Sequence, residues 1–154
     1  MKLKNILFVV SDMERSKVFY RDLFGLEVIA DYEGNVVLTE GLVLQDASIW
    51  ERFIDSSVNY HGNDAELYFE ENDMDGFLKK LELWEDAIEY AHSLVEHDWG
   101  QRVVRIYDPD HHMIEVGESM DYVAKRFLAS GLSIEETAWK TQMALGRVKE
   151  LAVE

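Results

Sequence analysis

Few residues in this chain have types and spacing that suggest chemistry. The stretch "RVVRIYDPDHHMIEVG", Arg102 to Gly117, sets one carboxylate, Glu115, inside an apolar run that reads as a strand. A half-buried strand with a lone Glu needs a cation, a metal ion or water for it, because an unpaired buried charge is costly. Five histidines, His61, His92, His97, His111 and His112, are the other candidates for metal or proton chemistry. None falls in an HExxH or Cys/His ligand spacing. The chain has no cysteine, which excludes disulfides, thiolate ligands and a Cys nucleophile. His111 and His112 follow the "DPD" turn and point to opposite faces, so they read as turn or surface residues. His61 lies in a linker, where it could act as an extra ligand or a base. No glycine-rich phosphate loop or nucleophile elbow occurs, so nucleotide transfer and serine hydrolysis have no support.

The elements that must position these groups come in two similar halves. Residues 5–10 are apolar or β-branched and read as a strand. Ser11 and Glu14 fit a capping box. Ser16, Phe19, Tyr20 and Leu23 then recur at helical spacing, and Gly25 stops the helix. Strands are expected at 26–32, 35–39 and 41–46, with "EGN" as a hairpin turn. The second half begins with the strand "ELYFEE". A helix capped by Asn72 or Asp73 follows, carrying Phe77, Leu78, Leu81 and Trp84, and then the strand "AIEYAH". Superposing the halves puts Phe8 on Phe69 and Asp12-Met13 on Asp73-Met74. Each half therefore reads as strand, helix, then three strands, with residues 47–63 as the linker. Sheets of this kind must bury one face, and two of them could curl into a cup closed by turns such as Asp108-Pro109-Asp110.

"FVVSDMERSKVFYRDLFGLEV" and "WGQRVVRIYDPDHHMIEVGE" resemble the opening and the close of the vicinal oxygen chelate superfamily. That group includes glyoxalase I, the bleomycin and fosfomycin resistance proteins and the extradiol dioxygenases. With the repeat, the resemblance spans residues 4 to 118. It implies an α+β fold of two βαβββ modules, about 1–46 and 64–118, forming a cupped mixed sheet. Residues 119–154 would be a C-terminal helical extension. In the superfamily's metalloenzymes a divalent ion is held by residues from the first and last strand of each module, commonly His and Glu. Carried onto this chain, the set is Asn5, Gln45, Glu66 and Glu115. Glu115 fits the pattern, Glu66 stands where His is usual, and Asn5 and Gln45 depart from it.

Two carboxylates and two amides form a hard oxygen set that suits Mg²⁺, Mn²⁺ or Ca²⁺ better than zinc. The resemblance allows a divalent ion (Mg, Mn, Ni or Zn) or none. Alternation puts Glu66 with Tyr68 on one strand face and Met113 with Glu115 on another. Pairing Tyr107 with His112 across the turn would set Val104 opposite Glu115 and bring Arg102 to the same side. Three readings of Glu66 and Glu115 stay open. They ligate a metal in a working or degraded site, where either could double as a proton carrier if displaced, they line a metal-free pocket and meet cationic or hydroxyl-bearing ligands, or they are partly exposed or satisfied by Arg102, Arg105 and water. Tyr68, Trp99, Arg102 and Met113 are the candidate ligand contacts, with Trp99 at a pocket rim. Trp50 and Trp84 read as packing residues.

The net charge of −16, from 15 Lys plus Arg against 31 Asp plus Glu, opposes nucleic acid and anionic membrane and favours cations. The tail has a helix-turn-helix outline. Lys125, Arg126, Lys140, Arg147 and Lys149 are there matched by Asp121, Glu135, Glu136, Glu150 and Glu154, so it lacks the basic face that DNA binding requires. "SMDYVAKRFLASG" reads as one helix ended by Gly131. Ser133 to Glu136 is a capping box opening one helix or two, with Ala138 and Val148 as packing positions. The apolar N-terminal run is too short for a membrane helix. The expectation is a cytoplasmic homodimer acting on a small molecule. It is either a metal-dependent lyase or isomerase for vicinal oxygens, or a non-catalytic binder used in resistance or sequestration.

Overall fold

The computed structural model describes residues 1–153; Glu154, one of the tail's acidic residues, lies outside them. The chain divides into two compact units. Met1–Glu66 and Tyr107–Met113 form the first, and Leu67–Ile106 with the following segment from Ile114 forms the second.

The first unit is built from β1 (Ile6–Val10), α1 (Met13–Phe24), β2 (Val28–Asp31), β3 (Asn35–Leu38), β4 (Leu42–Asp46) and α2 (Ala47–Ile54). Its sheet runs β1-β4-β3-β2, with β1 parallel to β4 and the other pairs antiparallel. Ser16, Phe19, Tyr20 and Leu23 are the buried face of α1, as their spacing requires, and Val10, Val36, Leu38 and Leu44 are the fully buried residues of the sheet. Gly25 takes a left-handed φ of 68° and its N–H closes the helix on Arg21 and Tyr20.

Two expectations need correcting here. Asp12, not Ser11, caps α1, its side chain accepting from the N–H of Arg15. Ser11 instead donates its hydroxyl and N–H to Asp110, at 2.5 and 3.1 Å. The linker also begins with a helix: Asp46 accepts from the N–H of Ile49 and starts α2, which packs on β1 and β4.

The second unit contains α3 (Met74–Glu82), β6 (Tyr90–Glu96), α4 (Met120–Ala129), α5 (Ile134–Thr141) and α6 (Leu145–Leu151), together with all but one end residue of each of β5 (Glu66–Glu70), β7 (Arg102–Tyr107) and β8 (Met113–Gly117). Its sheet order, β5-β8-β7-β6, repeats that of the first. Asp73 caps α3, and Met74, Phe77 and Leu81 are its buried face. Trp84 falls beyond the helix end, and β6 starts at Tyr90 rather than at Ala87.

The β7–β8 register differs by one residue from the expected one. The N–H of Asp108 bonds the carbonyl of His112, and the N–H of Glu118 bonds the carbonyl of Arg102. Both bonds put Arg105, not Val104, across from Glu115. A one-residue slip sends every side chain to the opposite face, so Arg102 leaves Glu115 for Glu118 and Asp75.

The tail forms two helices after α4, because Gln142 takes a left-handed φ of 59° and ends α5. The Ser133–Glu136 capping box is present. Val123, Ala124 and Phe127 of α4 and Val148 and Leu151 of α6 are buried, and Arg147 pairs with Asp121 across those two helices. No helix among the described residues is long and apolar enough to cross a membrane.

Candidate functional site

The four positions implied for a metal have distinct surroundings. Gln45 is buried; its Nε2 donates to the Gly34 carbonyl at 2.8 Å and its Oε1 accepts from Asn35 Nδ2 at 2.8 Å. Its amide thus ties the β3–β4 hairpin together. Asn5 is exposed and its Nδ2 reaches the Gly41 carbonyl at 3.4 Å. Glu66 opens β5 on the exposed side and clusters with the first unit, whereas Glu115 clusters with the second.

Glu115 is buried, and its partner is Arg105 on the neighbouring strand. The next strand supplies His92, whose Nε2 lies 2.8 Å from Arg105 Nη1 and whose Nδ1 lies 2.9 Å from the Ser93 carbonyl. A carbonyl only accepts, so Nδ1 carries the hydrogen and Nε2 accepts from Arg105. A row Glu115–Arg105–His92 therefore crosses β8, β7 and β6. The guanidinium neutralises the carboxylate, as a buried charge requires.

This donor set does not fit a divalent ion. One amide is committed to a hairpin, and one carboxylate is already balanced by a cation that an incoming metal would have to displace. Among the described residues no three His, Asp or Glu side chains are grouped as a metal site.

The candidate ligand contacts separate. Tyr68 accepts from Gln101 Nε2 at 3.1 Å, and Trp99 Nε1 donates to Gln101 Oε1 at 3.0 Å, so Gln101 joins the two rings. Sequence reasoning passed over Gln101; its place two residues beyond Trp99 was the available signal. Burial, with Glu70 nearby, raises the Tyr68 hydroxyl above the ordinary phenol value. Arg102 is held by Glu118 and Asp75. Met113 lines a pocket that lies within the first unit.

That pocket has a volume of about 390 Å³. Leu7 and Val9 of β1 form one wall and Trp50 and Ile54 of α2 another, while Tyr60, His61, His111 and His112 bring rings to it. Among the described residues no lysine or arginine lines it, and Asp64 is the one carboxylate there. Burial raises the Tyr60 hydroxyl, helped by the negative charges of Asp110, Glu51 and Asp46. His111 stacks on Tyr107 at 3.7 Å between centroids and meets His61 at 3.8 Å, and His112 stacks on Phe8 at 4.1 Å. The Asp108-Pro109-Asp110 turn anchors this wall. Asp108 accepts from the Tyr20 hydroxyl at 2.8 Å, and Asp110 accepts from Ser11 and Arg15. Burial, reinforced by Asp108, pushes the Tyr20 hydroxyl well above the usual phenol range, so it stays a donor.

The comparisons with known proteins agree with this architecture. A family model described as a glyoxalase-like domain matches residues 3–121. A solved protein of unknown function from Agrobacterium tumefaciens str. C58 is 37% identical with a TM-score of 0.66, covering 77% of this chain and 94% of that one. A lactoylglutathione lyase from Agrobacterium tumefaciens is 25% identical with a TM-score of 0.58, covering 77% and 93%. A glyoxalase/bleomycin resistance protein/dioxygenase family enzyme from Burkholderia phytofirmans PsJN shares the fold at 13% identity, with a TM-score of 0.62 over 75% and 96% of the two chains. No curated protein matches the chain. With two sheets of the same strand order and a family model covering most of its length, this chain belongs to the glyoxalase-like family of the vicinal oxygen chelate superfamily.

Proposed function

We propose that the chain is a metal-independent small-molecule binding protein of the resistance or sequestration kind, with the first unit's pocket as its ligand site. The observation that carries this reading is the pocket itself. Its volume of about 390 Å³ falls in the range of small-ligand sites, and its aromatic walls suit a flat molecule. The engagement of Gln45 and Glu115 by protein partners supports binding without a metal.

A thermal-shift screen of small aromatic compounds tests it, run with and without chelator. A ligand at a hundredfold its Kd stabilises the folded state by about 2.7 kcal/mol, or a rise of roughly 5–10 °C in Tm for a chain of this size. The rise is expected in the wild type with chelator present. It is expected to vanish in Ile54→Trp, which fills the pocket from a half-exposed position on α2. Ligands that act only with added Mg²⁺, Mn²⁺, Ni²⁺ or Zn²⁺, or that ignore Ile54→Trp, would overturn the reading.

A further inference from the structure

The wall formed by residues 108–112 holds a polar arrangement that simple apolar binding does not require. The Asp108 side chain is fully buried. Its Oδ1 accepts from the N–H groups of Asp110 and His112 at 3.0 and 2.8 Å. Its Oδ2 accepts from the Tyr20 hydroxyl and lies 2.9 Å from His112 Nδ1. Surrounded by donors, the carboxylate acts only as an acceptor, which places the hydrogen of the His112 ring on Nδ1. The tautomer is thereby set, and Nε2 is the atom at which His112 gains or loses a proton.

Two contacts orient the ring. It is stacked on Phe8 with the planes only 10° apart, it is held at Nδ1, and it lines the pocket. Among the described residues Nε2 meets no hydrogen-bond partner, whereas the His111 ring packs against those of His61 and Tyr107. With no lysine or arginine among the described lining residues, a ligand oxyanion would find its cationic partner in protonated His112.

We propose that His112 Nε2 is the proton-accepting contact of this pocket, positioned by Asp108, and that the ligand class is a planar molecule with an acidic hydroxyl, a phenol. On binding, the ligand O–H bond breaks and an Nε2–H bond forms. The electron pair stays on the ligand oxygen, and the imidazolium lies between that oxyanion and Asp108. This inference rests on the pocket being the ligand site.

The probe is 4-nitrophenol, whose anion absorbs visible light, with nitrobenzene as the analogue that lacks the hydroxyl. The wild type is expected to bind 4-nitrophenol at least tenfold tighter than nitrobenzene and to shift its spectrum toward the phenolate band. His112→Gln and His112→Phe, the latter keeping the Phe8 stack, are each expected to lose the band and at least tenfold of the preference for 4-nitrophenol over nitrobenzene. Asp108→Asn is expected to weaken the band and to replace the single Nδ1–H tautomer of His112, read by ¹⁵N NMR, with a mixture. Retention of band and preference in both His112 variants overturns the inference. If Ile54→Trp abolishes both probes while the His112 variants change neither, this assignment falls and the pocket reading stands. If Ile54→Trp changes neither probe, both fall.

Discussion

Glu118 is the most informative residue to perturb. It follows β8, its side chain is fully buried, and it sits between two arginines. Its Oε1 accepts from Arg102 Nε and Nη2 at 2.8 and 2.7 Å, and its Oε2 accepts from the Arg102 N–H and from Arg126 Nη2 at 3.2 and 3.1 Å. The hydrogen bond with Glu118 is the main cause that raises the Arg102 guanidinium above its ordinary value. Glu118→Gln keeps the volume but removes the anion, leaving two guanidiniums facing a neutral amide. Breaking a buried pair from one side costs about 3–5 kcal/mol. Both arginines are partly solvated, with side chains 23% and 32% exposed, and Arg102 keeps Asp75. The lower end, about 3 kcal/mol, is therefore expected. With a urea m-value of about 2 kcal/mol per M, the midpoint falls by roughly 1.5 M. Removing charge from both sides, in Glu118→Leu with Arg102→Met, is expected to recover much of the loss, since apolar replacements of buried pairs are often neutral. A Glu118→Gln midpoint within about 0.5 M of wild type at equal m would refute the claim that this charge cluster fastens α4 to the sheet.

Gly100→Ala tests close packing: the glycine has φ of +88° and an added Cβ would run into the Phe127 ring, so a loss of about 2–4 kcal/mol is expected by thermal unfolding. Tyr20→Phe removes one donor from buried Asp108 and should cost about 1–2 kcal/mol in urea unfolding. In the wild type the Tyr20 hydroxyl has a raised folded-state pKa, so its contribution is complete below about pH 10 and is lost as pH climbs through the folded value; ultraviolet titration should show one phenol resisting ionisation until the protein unfolds. Asp121 is shifted the other way, lowered chiefly by its hydrogen bond with Arg147. Its contribution is present above about pH 4 and fades as pH drops further, and Asp121→Asn should trim the acid limb of the stability curve by well under 1 kcal/mol, the pair being solvent-exposed.

Much of the fold could be read from local pattern. Ser16, Phe19, Tyr20 and Leu23 announce the buried face of α1, and Gly25 and the Ser133–Glu136 box mark helix ends through chemistry confined to a few residues. Reading failed where a side chain answers to a distant partner. Ser11 has the right type for a cap, but Asp110 offers its hydroxyl a better acceptor, and Asp12 takes the cap. The register of β7 and β8 depended on whether the turn closes at Tyr107 or Asp108, and Asp108 could be placed only by knowing that Tyr20 and His112 converge on it. Helix α2 was legible in Asp46 and in the spacing of Trp50, Phe53 and Ile54, yet the absence of a matching segment in the other half made it look like linker. The carboxylate of Glu115 was identified from sequence with Arg102 and Arg105 both named as possible cations, and it is the register that selects Arg105.

The reach of the Asp108-Pro109-Asp110 turn has a consequence for biosynthesis. The hydroxyl of Tyr20 and the backbone of Ser11 depend on acceptors 88 and 99 positions downstream. While the chain emerges from the ribosome, the opening half can assemble its sheet but must leave these polar groups hydrated until the later hairpin has been translated. Native closure of the first half is thus deferred to the second, and a nascent chain arrested before Asp108 would expose the amide of Ser11 to rapid hydrogen exchange.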